Sequence, residues 1–431
     1  MKNLQSRFSK MGILIPEILL PENVEMEKWA VVACDQFSSE KEYWRETARI
    51  VGDSPSTLNL ILPECYLDDG DKQLRVEKIN RTMQEYLHKK VFRKLKPGFI
   101  LVDRSTPRVQ SRQGMIIAVD LEHYSFEADT HSLIRPTEGT VLERLPPRME
   151  IRRNAPLDIP HILLLINDNE KSIIEEAFNH RDSFETVYNF ELMQDGGKIR
   201  GELISDHIYL EKICSAFEKL SKKNDILFAV GDGNHSLATA KEIWNNLKKE
   251  GAPDNHPARY ALVEIGNIFN EGIIFEPIHR VLFNVDSEDF FSNLKIEADW
   301  EIILRDSEKD MQKAIMSDSD DHRIGFINDG QWGYISLREP ETKLTYEVLQ
   351  RFLDSYLEKN SSVTIDYIHG EHAVFELGGK RGTLGLYLTA IKKAEFFQMI
   401  IDCGSLPRKT FSIGEAQEKR YYIESRKITF D

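Results

Sequence analysis

The sequence predicts a mixed α and β protein with more than one hydrophobic core. A chain of 431 residues is longer than one ordinary core requires. The wholly apolar run at residues 162–166 is typical of a strand that is covered on both faces. The stretch 342–359 has apolar residues at helical spacing. The pattern of predicted helices and strands changes after Phe283. We therefore expect two regions, residues 1–285 and 286–431.

The elements of the first region follow from local patterns. Apolar runs predict its strands at residues 29–34, 99–102, 115–119, 162–166 and 225–230. Helical spacing predicts its helices at residues 39–49, 71–90 and 172–178, followed by one that Ser205 caps. In the second region, residues 290–336 read as helix, strand, helix and then two strands.

The composition is ordinary for a soluble globular protein. It argues against a membrane protein and against a nucleic-acid-binding protein. Hydrophobic residues make up 41% of the chain and charged residues 29%. No apolar run reaches the roughly eighteen residues of a membrane span, and no signal peptide precedes Pro16. The net charge of −15 opposes nucleic-acid binding, which needs a basic surface. The four cysteines lie far apart, which favours reduced thiols in the cytoplasm.

A glycine turn follows the predicted strand 225–230. Gly231 and Gly233 flank Asp232, and Asn234, His235 and Ser236 then begin a predicted helix. Two glycines allow a sharp turn that brings backbone N–H groups close to a ligand, and a helix N-terminus favours an anion. The same spacing also fits an ordinary strand-to-helix turn, because Gly-x-Gly alone is weak evidence. The acid, the histidine and the hydroxyl at one helix start favour the phosphate-binding interpretation.

Several motifs in a fixed order resemble one protein family. Residues 232–240 resemble the D-G-H-H-R-x-x-A-x signature of a large bacterial family of uncharacterised proteins, the domain-of-unknown-function family numbered ten-fifteen. Residues 134–140, 277–280 and 406–411 resemble its R-x-x-E-x-T-like, P-T-H-R and P-x-K-S-T-x-F segments. The resemblance extends over almost the entire chain.

The signature is also similar to that of the wider ParB and sulfiredoxin group. This resemblance implies a ParB/sulfiredoxin-like nucleotide-binding core, with a second mixed α/β region after it. Members of the group include kinases that phosphorylate free serine. Sulfiredoxin has its reactive cysteine where this chain has Asn234, which opposes thiol chemistry. ParB activity implies DNA clamps, which the acidic composition opposes.

The chain departs from the group at one position. The group carries a phosphate-contacting arginine after the motif histidine, and this chain has Ser236 there. Either another cation replaces it, with Arg135, Arg148 and Lys241 as candidates, or the site binds a different anion. Backbone amides can hold a phosphate without that arginine.

The segment 135–153 adds charged residues beside several turn residues. Arginine there suits bidentate contacts to phosphate, although a solvated loop with surface ion pairs fits the same pattern. We expect Arg135, Thr140 and Arg148 to bind phosphate with Gly231, Gly233, Asn234 and Ser236. Phosphoryl transfer needs a carboxylate for the acceptor hydroxyl and an acid for Mg²⁺, so we assign Glu138 as the base and Asp232 to the metal or the acceptor. His235 completes the predicted catalytic set.

Three further positions are secondary candidates. His279 and Arg280 follow a strand-like stretch, His369 lies in a segment with two histidines and two acids, and Lys409 follows Pro407 and Arg408. The histidine segment lacks the geometry of a specific zinc motif. A basic or solvated turn explains His369 and Lys409 equally well.

Two functions remain open from the sequence. The first is a cytoplasmic phosphotransferase that uses Mg²⁺ with ATP or ADP and acts on a small hydroxyl metabolite such as free serine. The second is a regulatory protein that binds a nucleotide or a phosphorylated metabolite without turnover, which the loss of the motif arginine favours. The partners are therefore a nucleotide and a small molecule, with no membrane and no nucleic acid expected.

Overall fold

The structure is a computed structural model that describes residues 2–127, 131–317, 319, 321–338, 345–407 and 409–430. It divides into two compact units. Unit 1 comprises residues 1–274 and 413–431, and unit 2 comprises residues 275–412. The expected boundary near residue 285 therefore differs from the observed division in two ways. Unit 2 begins earlier, and the C-terminal segment returns to unit 1.

The described residues contain helices and strands in both units. The α-helices are α1 (Lys2–Ser9), α2 (Met26–Trp29), α3 (Lys41–Val51), α4 (Lys72–His88), α5 (Leu145–Arg152), α6 (Ile174–Phe178), α7 (His207–Lys223), α8 (Asn234–Lys249), α9 (Ser287–Glu297), α10 (Glu308–Met316), α11 (Thr345–Lys359), α12 (Glu371–Gly378) and α13 (Lys393–Cys403). The strands are β1 (Ile13–Leu14), β2 (Leu19–Pro21), β3 (Phe92–Lys94), β4 (Phe99–Ser105), β5 (Arg112–Asp120), β6 (Ile134–Arg135), β7 (Leu157–Asp158), β8 (Leu163–Ile166), β9 (Glu185–Leu192), β10 (Gly197–Ile204), β11 (Phe228–Asp232), β12 (Tyr260–Asn267), β13 (Phe275–Phe283), β14 (Trp300–Arg305), β15 (His322–Asn328), β16 (Gln331–Leu337), β17 (Thr364–His369), β18 (Thr383–Tyr387), β19 (Phe411–Ile413) and β20 (Arg426–Lys427). The predicted mixed α and β class is confirmed.

Unit 1 is built on a nine-stranded sheet. Its order is β6-β11-β8-β12-β5-β4-β10-β9, with β1 paired to β5. Strand β11 pairs in parallel with β6 and antiparallel with β8. Successive residues of β4 enter two different apolar clusters: Phe99 and Leu101 belong to one, and Ile100 and Val102 to the other. The sheet is therefore buried on both faces, as side chains that alternate along a strand require.

Unit 2 is built on a seven-stranded sheet. Its order is β14-β16-β15-β18-β13-β17, with β19 paired to β13. Helices α10 and α12 contribute Met311 and Val374 to an apolar cluster that also contains Val281 of strand β13. The predicted order of helix, strand, helix and two strands corresponds to α9, β14, α10, β15 and β16 and is confirmed.

Most local predictions of strands and helices in unit 1 are confirmed. The predicted strands at 99–102, 115–119, 162–166 and 225–230 correspond to β4, β5, β8 and β11, and the helices at 71–90 and 172–178 correspond to α4 and α6. The strand at 29–34 was wrong. Helix α2 ends at Trp29, and Val32 forms a single bridge with Tyr421.

Two predicted helix caps differ in the structure. Helix α7 is capped by Asp206 instead of Ser205, since Asp206 Oδ1 accepts from the Ile208 amide at 2.8 Å. Helix α3 begins after Glu40 rather than at Ser39. In the part of the chain that the structure describes, none of the helices is long and apolar enough to cross a membrane.

Candidate functional site

The turn between β11 and α8 depends on a glycine. Gly233 has a φ of +83°, the left-handed region that side chains with a Cβ disfavour. A Cβ at this position would lie 3.1 Å from Ile162 Cγ1. The backbone therefore turns from the strand into the helix in a conformation and a space that favour glycine.

The start of α8 offers backbone donors. Gly233 is the N-cap residue, and among the described side chains none caps the helix. The first helical bond runs from the Leu237 amide to the Gly233 carbonyl at 3.0 Å, so the amides of Asn234 and Ser236 precede it. Residues 231–236 are half-buried rather than sealed. Backbone amides at the positive end of a helix dipole suit an anion.

The loop 137–141 is attached to this turn at both ends. Thr137 Oγ1 donates to the Val230 carbonyl at 2.6 Å. The Val141 amide donates to His235 Nε2 at 3.3 Å. The two predicted site residues Glu138 and Thr140 lie between these anchors in the chain. The structure thus brings the loop and the turn together, as the predicted site requires.

A cation that the sequence did not single out lies beside the turn. Lys419 Nζ is 3.5 Å from Asp232 Oδ2, and the two side chains are 11% and 23% exposed. The other oxygen of Asp232 accepts from the Gly233 amide at 3.0 Å. Lys419 belongs to the C-terminal segment of unit 1. Its distance along the sequence from the turn is the reason that local patterns missed it.

Ser236 ends a hydrogen-bond chain that reaches into the core. Ser236 Oγ lies 2.8 Å from His161 Nε2, and His161 Nδ1 lies 3.0 Å from the Tyr422 hydroxyl. The Cys34 amide donates to the same hydroxyl at 3.1 Å. His161 and Tyr422 are buried, whereas Ser236 is half-buried at the turn. The sequence analysis singled out neither His161 nor Tyr422.

The Cys34 amide fixes the direction of this chain. A backbone N–H can only donate, so the Tyr422 hydroxyl accepts from it and has one proton left to donate. The imidazole nitrogen Nδ1 of His161 is a better acceptor for that proton than the nearby Cys34 sulfur, which accepts weakly. A buried hydroxyl without an acceptor would cost about 1–3 kcal/mol. His161 then carries its proton on Nε2 and donates to Ser236.

This direction leaves the Ser236 proton for a ligand. The oxygen of Ser236 already accepts from His161 Nε2, so its hydroxyl hydrogen is the group that can point toward an anion at the turn. Ser236 is therefore arranged as a hydrogen-bond donor and not as a nucleophile with a neighbouring base.

Arg148 pairs with an acid instead of standing at the turn as a free cation. Its guanidinium forms an ion pair with Glu64, and Nη1 donates to the Arg144 carbonyl at 2.7 Å. Burial raises the pKa of the Glu64 carboxyl, and the charge of Arg148 opposes that rise. Arg148 and Ser236 line the same cavity in unit 1, of about 130 Å³.

The other two candidate replacements for the motif arginine have different partners. Arg135 is buried on β6, its Nε donates to the Ser132 carbonyl at 3.2 Å, and burial lowers the pKa of its guanidinium against the effect of Asp225. Asp225 precedes β11. The guanidinium of Arg135 therefore lies nearer to the start of that strand than to the turn at its end. Lys241 Nζ donates to the Leu121 carbonyl at 2.9 Å. Neither contact is directed at the turn.

The secondary candidates belong to unit 2. His279 is buried, its Nδ1 accepts from the Leu388 amide at 3.1 Å, and its ring stacks on Tyr387. Burial lowers the pKa of His279 to about 4. Arg280 is fully buried and donates to the Ile278 carbonyl. These contacts give the pair a structural role in unit 2.

The remaining secondary candidates, His369 and Lys409, have exposed side chains. His369 ends β17, and Lys409 has a φ of +59° in a turn. The neighbouring Arg408 lies outside the described residues. Among the described residues, no group of three or more histidines, cysteines or acids is arranged to hold a metal ion. Asp232 at the turn belongs to no such group among the described residues.

The family of the chain is shown by a match over most of its length. The profile of the family described as "Protein of unknown function (DUF1015)" matches residues 19–356. The chain belongs to this family. A search of the curated proteins finds no match.

Solved structures resemble the chain at low identity. A conserved hypothetical protein from Pyrococcus furiosus is 14% identical with a TM-score of 0.36, and the match covers 73% of this chain and 95% of that one. A free serine kinase in complex with AMP is 12% identical with a TM-score of 0.38, over 73% and 91% of the two chains. A C-terminally truncated SbnI from Staphylococcus aureus is 11% identical with a TM-score of 0.36, over 69% and 82%.

Proposed function

We propose that the protein transfers a phosphoryl group from a nucleotide to a small hydroxyl compound, with the nucleotide phosphate bound at residues 231–236. The observation that carries this proposal is the uncapped start of α8 behind the left-handed Gly233, with Lys419 and the Ser236 hydroxyl beside it. These groups supply amide donors, a cation and a hydroxyl donor to one anion. The net charge of −15 supports a free nucleotide over a nucleic acid.

Each residue near the turn has a proposed part in binding. The amides of Asn234 and Ser236 donate to phosphate oxygens, and the Ser236 hydroxyl adds a third donor in place of the motif arginine. Lys419 supplies the positive charge that Arg135 does not bring to the turn. The ParB and sulfiredoxin relation of this core stays a prediction from the motif residues.

The proposed transfer needs one base. The acceptor oxygen attacks the terminal phosphorus, the bond from that phosphorus to the bridging oxygen of the nucleotide breaks, and Glu138 takes the acceptor proton. Asp232 would hold Mg²⁺ together with phosphate oxygens, because Mg²⁺ is commonly bound by one or two carboxylates and the substrate's phosphates. A bound Mg²⁺ would neutralise part of the negative charge of the phosphates.

A binding protein without turnover is the second candidate. The observation that favours it is the 3.5 Å contact between Lys419 and Asp232, because the carboxylate that would hold Mg²⁺ already has a cation beside it. The cytoplasm is the proposed compartment for either function. Free nucleotides are used there, and the free thiols of Cys34, Cys65, Cys214 and Cys403 suit a reducing environment.

The test measures binding and turnover separately. Calorimetry of the purified chain with ADP and ATP, with and without Mg²⁺, reports binding, and incubation of ATP or ADP with Mg²⁺ and free serine, followed by mass spectrometry, reports phosphoserine. Glu138→Gln should keep nucleotide affinity and lose turnover, whereas Glu143→Gln, an exposed acid after the same loop, should change neither. Nucleotide binding without phosphoryl transfer to serine or to other hydroxyl compounds, including those with an apolar body, would support the second candidate. Absence of nucleotide binding would refute the phosphotransferase and a nucleotide-binding regulator.

A further inference from the structure

A cavity of about 130 Å³ lies in unit 1 beside the start of α8. Ser236 and Thr239 of this helix form part of its wall. Most of its wall is apolar, with side chains that include those of Leu60, Leu62, Leu67, Met83, Ile151 and Ile162. Ser236 and Thr239 are three residues apart, so they lie on one face of the helix. A ligand in the cavity would therefore reach the turn through Ser236.

The charged groups of the wall are paired with one another. Arg148 forms an ion pair with Glu64, and Arg152 Nη1 lies 2.5 Å from Asp158 Oδ1. Asp158 Oδ2 also accepts from the Leu262 amide at 2.8 Å. Two acids and two bases leave this part of the wall without net charge. The cavity therefore suits an uncharged group.

The other polar groups of the wall are also occupied. His161 uses both ring nitrogens, one toward Ser236 and one toward Tyr422. Burial raises the pKa of the Cys34 thiol far above its usual range, so the thiol stays neutral and behaves as a small apolar group. A nucleobase presents several polar edge atoms that would lose water here without gaining partners. A hydrocarbon group loses nothing of that kind.

The size of the cavity limits its occupant. An apolar cavity of roughly 150 Å³ in another protein is large enough to bind benzene. The cavity here is slightly smaller at about 130 Å³. The comparison limits the occupant to a single ring or a branched alkyl group of no more than about six heavy atoms. The side chain of serine is far smaller, and its ammonium and carboxylate groups would meet a wall that is apolar or already paired.

We propose that this cavity binds the uncharged hydrocarbon part of the acceptor, a hydroxyl compound that carries a ring or branched alkyl group, with its hydroxyl directed toward Ser236 and the turn. This inference rests on the proposed phosphotransferase function and narrows its substrate class. It makes free serine a poor acceptor and a hydroxyl compound with an apolar body a good one.

The experiment uses benzyl alcohol as the probe and the full chain as the protein. Calorimetry should detect benzyl alcohol binding, with serine binding at least tenfold more weakly. Ala155 lines the cavity and is buried, so Ala155→Leu should fill it and weaken benzyl alcohol at least tenfold while ADP affinity is unchanged. Leu67→Trp, a half-buried position on the same wall, gives the same test if the first variant folds poorly. Ala252→Leu, outside the cavity wall, is the matched control and should leave both ligands unaffected.

Two results would overturn the inference. The first is that neither benzyl alcohol nor cyclohexanol binds the unchanged protein. The second is that adenosine competes with benzyl alcohol and that both wall variants weaken ADP as strongly as benzyl alcohol, because the cavity would then hold the nucleobase. ADP titration of the unchanged protein tests the phosphotransferase independently. If the unchanged protein binds benzyl alcohol but not ADP, the proposed function is refuted, while an apolar ligand in the cavity is supported.

Discussion

The turn in unit 1 and the His279–Arg280 pair in unit 2 contain similar residue types in different surroundings. At the turn, residues 231–236 are half-buried, and α8 begins with backbone donors that precede its first helical bond. In unit 2, His279 and Arg280 are 2% and 0% exposed, and each makes a backbone hydrogen bond. The same residue types can therefore lie at a half-buried helix start or hold a core together. The two cases differ in the solvent exposure of the residues and in the number of hydrogen-bond donors that the protein itself does not use.

The largest expected effect concerns the pH dependence of unit 2. The pKa of His279 is lowered from 6.5 to about 4, so between these pH values the unfolded chain binds a proton that the folded chain does not. Stability should fall as pH decreases from 6.5 to 4, by roughly 3 kcal/mol. Hydrogen exchange of β18 as a function of pH measures this. In His279→Gln, which keeps an acceptor for the Leu388 amide, the pH dependence should largely disappear. An unchanged slope in that variant would refute the assignment.

A slightly smaller effect is expected from Arg280→Met. This change leaves the Ile278 carbonyl without its donor and removes the guanidinium that lies 5.3 Å from the Tyr367 ring centre. We expect unit 2 to lose about 2 kcal/mol in chemical denaturation, since hydrogen bonds from charged donors contribute about that much. ADP affinity should not change. Arg351→Met, an exposed position on α11, is the control and should change stability by less than about 0.5 kcal/mol.

The turn itself is tested by Gly233→Ala. The left-handed conformation costs a residue with a Cβ about 1–2 kcal/mol, and Ile162 lies close to the new atom. Because the backbone amides must shift, ADP affinity should fall about tenfold, which corresponds to roughly 1.4 kcal/mol. Gly251→Ala is a matched control, since Gly251 has a φ of +92° and open space around its Cβ position. It should show the conformational cost and keep ADP affinity. Equal ADP binding in both variants would contradict a phosphate at the turn.

The smallest effect on stability is expected from Lys419→Met. Partly exposed ion pairs contribute about 0–1 kcal/mol, so the free energy of unfolding should change little. ADP affinity should nevertheless fall several-fold at low salt, and the difference from the unchanged protein should shrink as salt screens the charge. Lys249→Met, at the exposed C-terminal end of α8, is the control. A salt-independent loss would contradict an electrostatic role for Lys419.

The sequence predicted those parts of the fold that local patterns determine. Apolar runs identified β8 and β11, because strands buried on both faces need no polar positions. The same criterion failed at residues 29–34, where the backbone forms one bridge with Tyr421 instead of a strand. Burial without strand pairing leaves the same apolar pattern in the sequence. The return of residues 413–431 to unit 1 has no local signal at all.

The candidate site was predictable to a similar extent. The glycine turn and the loop with Glu138 could be inferred because the spacing and the motif order are local. Lys419 and His161 were missed because their roles come from contacts with residues far away in the sequence. Arg135 illustrates the opposite error, since a suitable charge in the right segment is directed toward the wrong end of β11. Sequence patterns identify residue types, but they carry little information about the direction in which a side chain points.

The position of Lys419 and Tyr422 after unit 2 has a consequence for synthesis of the protein. A ribosome makes the turn, then all of residues 275–412, and only afterwards the lysine and the tyrosine that complete the surroundings of Ser236. The nascent chain therefore exposes the turn before its cation and its hydrogen-bond chain exist. A premature stop anywhere in unit 2 would remove both, so translation of the second unit is a condition for a complete site in the first.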